Sequence, residues 1–469
     1  MAVSRIACLC AGALVAAGIV FFLGATVSAG AEPVPAQAAL QPAPQPDSSP
    51  GQAATTSQQP AESLQPTAAS DLATEDPDEQ CAMFCGMPCC SPPGRIWLRA
   101  DYLMWWTNGV TLPPLVTTSP QGTAVEDAGV LGLSTTTILY GNSTVGNQGQ
   151  SGVRTTMGMW LDSCHRWAVE FDYLNLGGSS DSFSQTSTGE TILARPFYNV
   201  ETGSQASELV AYPGVAIGSI SVDFKDYFQS AGALFSYNLC CCNSCGNECD
   251  SCDSSEQSCG SCVPLLQCCR TDLVAGFRYY NLGDSLTIHE TPTLTESVAP
   301  HDTIATFDIH DNFRARNDFY GSELGLRTRL YRNRWSLDVL TKIALGINHQ
   351  SVNINGTTDI TTATSTASYT TGIYAGPDNS GVYQRDVFTM IPELKIELGY
   401  QLTQHWRAFV GYDILYWGDV WRSASQIDLK LDPRNFPPST ETGLPFPEFS
   451  GKTSTFWAQG INVGAELRF

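Results

Sequence analysis

The densest chemistry in this 469-residue chain is sulfur. The segment CCCNSCGNECDSCDSSEQSCGSCVPLLQCC holds Cys240, Cys241, Cys242, Cys245, Cys249, Cys252, Cys259, Cys262, Cys268 and Cys269. CAMFCGMPCC holds Cys81, Cys85, Cys89 and Cys90, and Cys164 stands alone. Cys242, Cys245, Cys249 and Cys252 are spaced as a tetrahedral zinc site would need. In an exported chain the oxidising compartment favours disulfides over metal. These fifteen are therefore disulfide candidates, no metal is assigned, and an odd number leaves at least one cysteine over. Two histidines invite a hydrolytic reading: His310 in FDIHDN lies beside Asp308 and Asp311, and His349 precedes Gln350 and Ser351. A general base needs a nucleophile or water in three-dimensional reach, and no glycine-flanked nucleophile motif is present. No catalytic residue and no cofactor is assigned, and the chain is read as a non-enzyme.

A third set of reactive groups is spread more widely, at every second position. In RIWLRADYLMWW, Ile96, Leu98, Ala100, Tyr102, Met104 and Trp106 alternate with Arg99 and Asp101. The same period places Arg154 opposite Val153 and Met157, and Glu170 and Asp172 opposite Phe171 and Tyr173. It sets Ser230, Ser236 and Asn238 against Phe235 and Tyr237, and Asp272 and Arg278 against Leu273 and Phe277. Further on it isolates Glu323, Arg327 and Arg329, then Asp338 and Lys342, then Glu393, Lys395 and Glu397, then Arg407 and Asp413. In INVGAELRF it isolates Glu466 and Arg468. Period two over about ten residues, apolar on one side and polar or charged on the other, is the signature of a strand with one face in lipid and one in a lumen. No helix-period stretch competes.

Ten such segments are expected. They are joined alternately by short turns (Asp162 to Arg166, Tyr331 to Arg334, Thr403 to His405) and by long loops. The loops, rich in Ser, Thr, Gly and Asn, run Thr107 to Gly152, Asn175 to Lys225, Gly283 to Asn317, Gly346 to Arg385 and Trp417 to Ser454. Twelve strands would result if Ile217 to Phe224 paired with TTTILY. The predicted fold is all-β, a transmembrane antiparallel up-and-down barrel with long extracellular loops and short periplasmic turns, save the cysteine-rich insertion at 240–269. A soluble β-sandwich also alternates, but it would have to bury the outward aromatics and would not explain the alternating loop lengths. Phe469, on the apolar face of the last strand, is read as a signal for the barrel-assembly machinery.

Composition agrees. Charged residues make up 15% and aromatics 10%, and the net charge of −22 argues against nucleic-acid binding, which needs Lys and Arg. Residues 1–31, with Arg5 before an apolar run from Ala11 to Val27 and small residues after it, read as a secretory signal. Residues 32–94, rich in Pro, Ala, Gln and Ser, read as a disordered periplasmic spacer ending in the first cysteine cluster. Residues 95–469 form the barrel.

Several stretches are similar to a known family: LPPLVTTSP, AGVLG followed by TTILYGN, GMWLD, DLVAGFRYYNLGDSLTI and FVGYDILYWGDVWRSASQID. Five motifs in this order, across about Arg95 to Phe469, resemble the putative beta-barrel porin-7 family of bacterial outer-membrane proteins. The resemblance implies an outer-membrane barrel and brings no substrate or catalytic residue. RSASQID is poorer in glycine and proline than the family pattern. The expected function is passive diffusion of small polar solutes. The alternatives are a non-conducting structural barrel, linked through periplasmic cysteines to other cysteine-rich envelope proteins, and a surface-binding protein using its loops. In a bore this narrow the alternating charges make either a selectivity ring or a closed interior of ion pairs.

Overall fold

The computed structural model describes residues 94–243, 268–295, 304–439 and 441–469. The expected signal, the spacer, the first cysteine cluster and most of the 240–269 insertion lie outside the described residues. Ten antiparallel strands form a closed ring in chain order: β1 (Ile96–Thr107), β2 (Gln150–Trp160), β3 (Trp167–Leu176), β4 (Ala216–Asn243), β5 (Cys268–Glu290), β6 (Ala305–Arg332), β7 (Trp335–Thr362), β8 (Gly381–Gln401), β9 (Trp406–Trp421) and β10 (Thr453–Arg468). Each pairs with its successor, and β10 returns to β1 in the register Trp97↔Arg468 through Thr107↔Ala458. The short turns and the seam share one rim. There the Arg95 amide donates to the Phe469 carbonyl at 2.5 Å, Phe469 donates back to Ile96 at 2.9 Å, and Arg468 donates to His405 at 2.9 Å.

Twelve strands are not formed. Ile217 to Phe224 is the opening of β4, and the strand Thr137–Tyr140 pairs with Val116–Thr118 in a separate sheet. Three stretches expected as loops, Asn175 to Lys225, Gly283 to Asn317 and Gly346 to Arg385, are instead largely strand. β4, β6 and β7 each run 28 residues, against the 9–11 that cross a bilayer. The extra length keeps period two but changes its chemistry, which is why its continuity with the lipid-facing part escapes a search for apolar alternation. On β7 the outward side chains are apolar from Trp335 to Ile347 apart from Thr341, then become His349, Ser351, Asn353 and Asn355. On β6 the change comes at Tyr320, with Asp318, Arg316 and Arg314 beyond it. Paired outward aromatics border the apolar belt: Trp167 with Tyr237 (4.5 Å) and Trp335 with Tyr400 (4.8 Å) at the turn end, Tyr279 with Tyr320 (5.0 Å) at the other. Such girdles sit where lipid meets water.

The protruding wall is not an empty cup. Ser204–Ala211, Leu193–Asn199, Val116–Thr118 and Thr137–Tyr140 form a small sheet, with Lys430–Leu431 parallel to Leu193–Asn199. This cap buries Leu115, Val116, Leu193, Phe197 and Leu431 against inward Ile220, Val222, Leu286, Ile288, Phe313 and Val352 of the wall. Gly129 turns with φ +78° at the cap's edge, where a side chain would collide with Ala194. That is the physical content of the AGVLG motif.

The belt makes a quantitative prediction. Leu324→Arg, at an outward position half-exposed within the belt, costs about 2–4 kcal/mol when the barrel unfolds from a bilayer. Asn355→Arg, outward on the protruding wall, changes stability by less than about 0.5 kcal/mol. Urea titration in phospholipid vesicles compares the two; equal effects would remove the lipid belt.

Candidate functional site: a charged chamber beneath an apolar septum

The inner face of one strand shows how the lumen is layered. From the turn end, β5 presents Arg270, Asp272, Val274, Gly276, Arg278, Tyr280, Leu282, Asp284, Leu286, Ile288 and Glu290. Charge gives way to an apolar belt inside the barrel, then to one ion pair, then to the cap core.

The inward acids and bases expected from alternation all lie in the first layer, in three groups. In the first, Arg99 bridges Asp101 (2.8 Å) and Glu397, and Arg154 bridges Asp101 (2.6 Å) and Asp413 (2.5 Å). Glu397 also takes Lys395 (3.2 Å) and Arg407 (2.9 Å), while Glu466 takes Arg407 (3.5 Å) and Arg468. In the second, Arg278 holds Asp172 (2.5 Å) and Glu323 (2.9 Å), and Lys342 holds Glu323 (3.0 Å) and Glu393 (3.2 Å). In the third, Arg327 makes a two-pronged pair with Glu170 (2.8 and 2.7 Å), Arg329 holds Asp338 (3.0 Å), and Arg270 holds Asp272 (2.8 Å). Ten cationic and ten acidic side chains take part. The layer therefore has no fixed sign that would select anions or cations.

Glycine makes room for this packing. A side chain at Gly232 would collide with the Arg278 guanidinium, and one at Gly399 with that of Arg407. Between the groups lies a chamber of about 520 Å³, lined by Arg327, Arg329, Asp338, Lys342 and Arg468 and reaching down to the turn residues Asn333, Arg334 and Gln404. Trp160 closes its side, packed against Trp97 (5.1 Å) and His165 (4.9 Å). The half-buried Cys164 occupies the neighbouring turn, and the register Cys242↔Cys269 brings the flanks of the cysteine-rich insertion to this same rim.

The chamber's roof is aromatic. Trp105, Phe228, Tyr280, Phe319, Trp417 and Phe456 converge from six strands with Leu103, Leu174, Leu176, Leu282 and Leu415 between them, all buried. Tyr280 lies 5.9 Å from Phe228, 5.9 Å from Phe319 and 6.1 Å from Trp417, and its hydroxyl donates to Glu393 at 2.9 Å. Alternation does not single these residues out, because here both faces of the strand are apolar. The runs YLMWW and ILYW carry the available signal, a continuous apolar stretch in place of an alternating one.

Above the septum the RSASQID segment turns into the barrel mouth. Arg422 pairs with Asp284, the Ser423 amide donates to Asp284 (2.6 Å), and Asn317 and the Trp421 backbone exchange bonds of 2.8 and 2.9 Å. Higher still, Arg195 joins cap to wall. It pairs with Asp311 (2.5 Å) and Glu290 (3.4 Å) and stacks on Tyr374 (4.1 Å). His310 and Asp311 thus point to opposite faces, as neighbours on a strand must. His310 meets Asp308 on the outer wall, and His349 meets the exposed Asp386 (2.7 Å). Neither histidine faces the chamber.

In the cap, burial and the nearby Glu290 charge push the Glu208 carboxyl up to about 7, against a weaker opposing pull from Arg195. A carboxyl raised in the folded state binds its proton more tightly there than in the unfolded chain. The contribution of Glu208 to cap stability is therefore largest below pH 4.5, falls as pH rises to about 7, and is level above that. Hydrogen exchange of the strands Leu193–Asn199 and Ser204–Ala211 across this range should show the slope, and Glu208→Gln should reduce it, leaving the part that comes from Glu290, whose carboxyl burial also pushes up.

The sequence profile of the putative beta barrel porin-7 family matches residues 97–469. No curated protein matches the chain. Among solved structures, a FadL homologue from Pseudomonas aeruginosa is similar at 8% identity over 80% of this chain and 90% of that one, with a TM-score of 0.21. The CymD monoaromatic hydrocarbon channel is similar at 7% identity over 86% and 94%, with a TM-score of 0.19. The toluene transporter TbuX from Ralstonia pickettii reaches 12% over 81% and 90%, with a TM-score of 0.17. Scores this low do not carry the hydrocarbon specificity of those proteins to this chain.

Proposed function

Because the chain belongs to the putative beta barrel porin-7 family, we propose that it stands in a bacterial outer membrane as a barrel with a shut lumen, working as a structural, surface-presenting element of the envelope. The observation that supports this reading is the septum. Trp417 has no exposed surface, and Trp105, Phe228, Tyr280, Phe319 and Phe456 are buried with it in one apolar cluster between the chamber and the mouth. An apolar constriction of this kind stops ions by dewetting. The second reading, passive diffusion of small polar solutes, is favoured by the charged chamber and requires the septum and the RSASQID segment to move aside.

In this orientation the turn end, with its cysteines, faces the periplasm, and the cap faces outward. The bilayer and the assembly machinery are the partners implied. Cysteine-rich envelope proteins are the proposed crosslinking partners. The reading needs no catalytic group.

Planar-bilayer conductance separates the two functional readings. Folded, heat-modifiable wild-type protein should be silent, and the double variant Phe228→Ala and Trp417→Ala should give steps. Stable wild-type steps that shift when Arg327 or Glu393 is replaced would establish the diffusion pore instead. Sidedness has its own test. Reduced intact cells treated with a membrane-impermeant thiol reagent should remain unlabelled, and permeabilised cells should label heavily. Strong labelling from outside would invert the topology and remove the crosslinking role.

A further inference from the structure

On the outer wall, clear of the lipid belt, three side chains converge that neither the chamber nor the septum uses. His289 on β5 lies directly opposite His310 on β6, and Asp308 shares its face two residues away. Four outward positions separate His289 from Tyr279 at the edge of the belt, and they carry Asn281, Gly283, Ser285 and Thr287. The two imidazoles are parallel at 4.1 Å, with Nε2 of His289 2.8 Å and Nε2 of His310 3.2 Å from the same oxygen, Oδ1 of Asp308. One ligand atom from each residue lies within 4.8 Å of the others.

We propose that His289, Asp308 and His310 form a binding site for a divalent transition-metal ion of the zinc and copper class. At metal–ligand distances of about 2.0–2.2 Å, tetrahedral ligands stand roughly 3.3–3.6 Å apart, so the 2.8 and 3.2 Å separations from Asp308 need only a small spreading. The side chains can spread, because their relative exposures are 38%, 49% and 38% for His289, Asp308 and His310. Two imidazoles with one carboxylate select borderline metals over calcium or magnesium, which take oxygen sets. Both rings share a single carboxylate oxygen, so neither has a partner of its own, and a cation between them would satisfy all three groups. Asp359, exposed on β7 and opposite Asp308 in the register, adds negative charge. The outer side of the site stays open, leaving the remaining coordination positions to water. The ion would clip β5 to β6 in the wall that carries the cap, and binding to the folded state alone would stabilise that wall.

The test uses untagged full-length protein folded in detergent, reduced and treated with iodoacetamide so that no thiol can bind metal. Cu²⁺ and Zn²⁺ are the probes. One equivalent of Cu²⁺ should bind with a paramagnetic resonance spectrum showing two coordinated nitrogens, and calorimetry should show copper binding more tightly than zinc. His289→Ala and His310→Ala should each weaken binding at least ~10-fold, since losing even an outer-shell partner costs that much. Asp308→Asn should weaken it in the same direction, and His349→Ala should leave it unchanged. These residues are surface positions, and heat-modifiability checks that each variant is folded. Absence of saturable binding, or binding unchanged in the His289→Ala and His310→Ala double variant, would overturn the proposal.

Discussion

In the hydrocarbon of a bilayer each unsatisfied peptide group costs several kcal/mol, so a strand survives there only if both its edges are paired. The seam between β1 and β10 is where that condition is met: its eleven paired positions turn a ribbon of nine hairpin contacts into a ring with no edge. Closure has consequences for every side chain. Once the ring is shut, each strand has one face toward lipid and one toward a bore that ten strands leave narrow. A slip of one residue in any ladder would exchange the two faces. Arg99, Arg154, Arg278 and Arg327 would then stand in lipid, at a cost of a few kcal/mol each.

The charges inside therefore weigh on register more than on transport. Burying ion pairs gains little over apolar packing, because desolvation roughly cancels attraction, yet removing one partner is costly. The lumen meets that condition by giving its carboxylates several partners: Glu397 lies within 3.2 Å of Lys395 and 2.9 Å of Arg407, and Arg99 joins it as well. Equal numbers of the two signs, and glycines opposite the guanidinium groups, complete an interior in which the wrong register leaves charges unpaired. The chamber of about 520 Å³ is the space these side chains do not fill.

Above the chamber the same barrel changes material. Where β4 to β8 outgrow the lipid belt, their outer faces become polar and their inner faces become largely apolar, so the protruding wall needs something to cover it. The cap supplies that cover, Leu415 and Trp417 near the end of β9 complete the septum, and the segment after β9 supplies the cork, where Arg422, Ser423 and Gln426 lock the mouth. Several of the stretches that carry the family resemblance lie here. The residues of LPPLVTTSP, AGVLG and DVWRSASQID pack the cap and cork, away from the lipid-facing surface. A folded cap and cork above the apolar cluster is what these stretches build.

Period two in the chain was enough to tell which side chains of each expected strand face inward, that the strands are antiparallel and that the short turns share one rim, because each is a local property of one strand or one hairpin; the choice of ten strands over twelve was made by the pairing in the structure. His310 and Asp311 were parted only by the structure, where the expected loop is strand and neighbours on a strand cannot share a face. What lies across the lumen was not legible. Arg99 meets Glu397, Arg278 meets Asp172 and Arg195 meets Asp311 across gaps of hundreds of residues, or of at least a hundred, in sequence. The continuation of β4, β6 and β7 past the membrane went unread, because the outward residues turn polar while the backbone carries on. The septum was hidden for the opposite reason, since an apolar residue aimed at the lumen looks locally like one aimed at lipid. Alternation records a direction, inward or outward, and the surroundings met in that direction come from the closed ring.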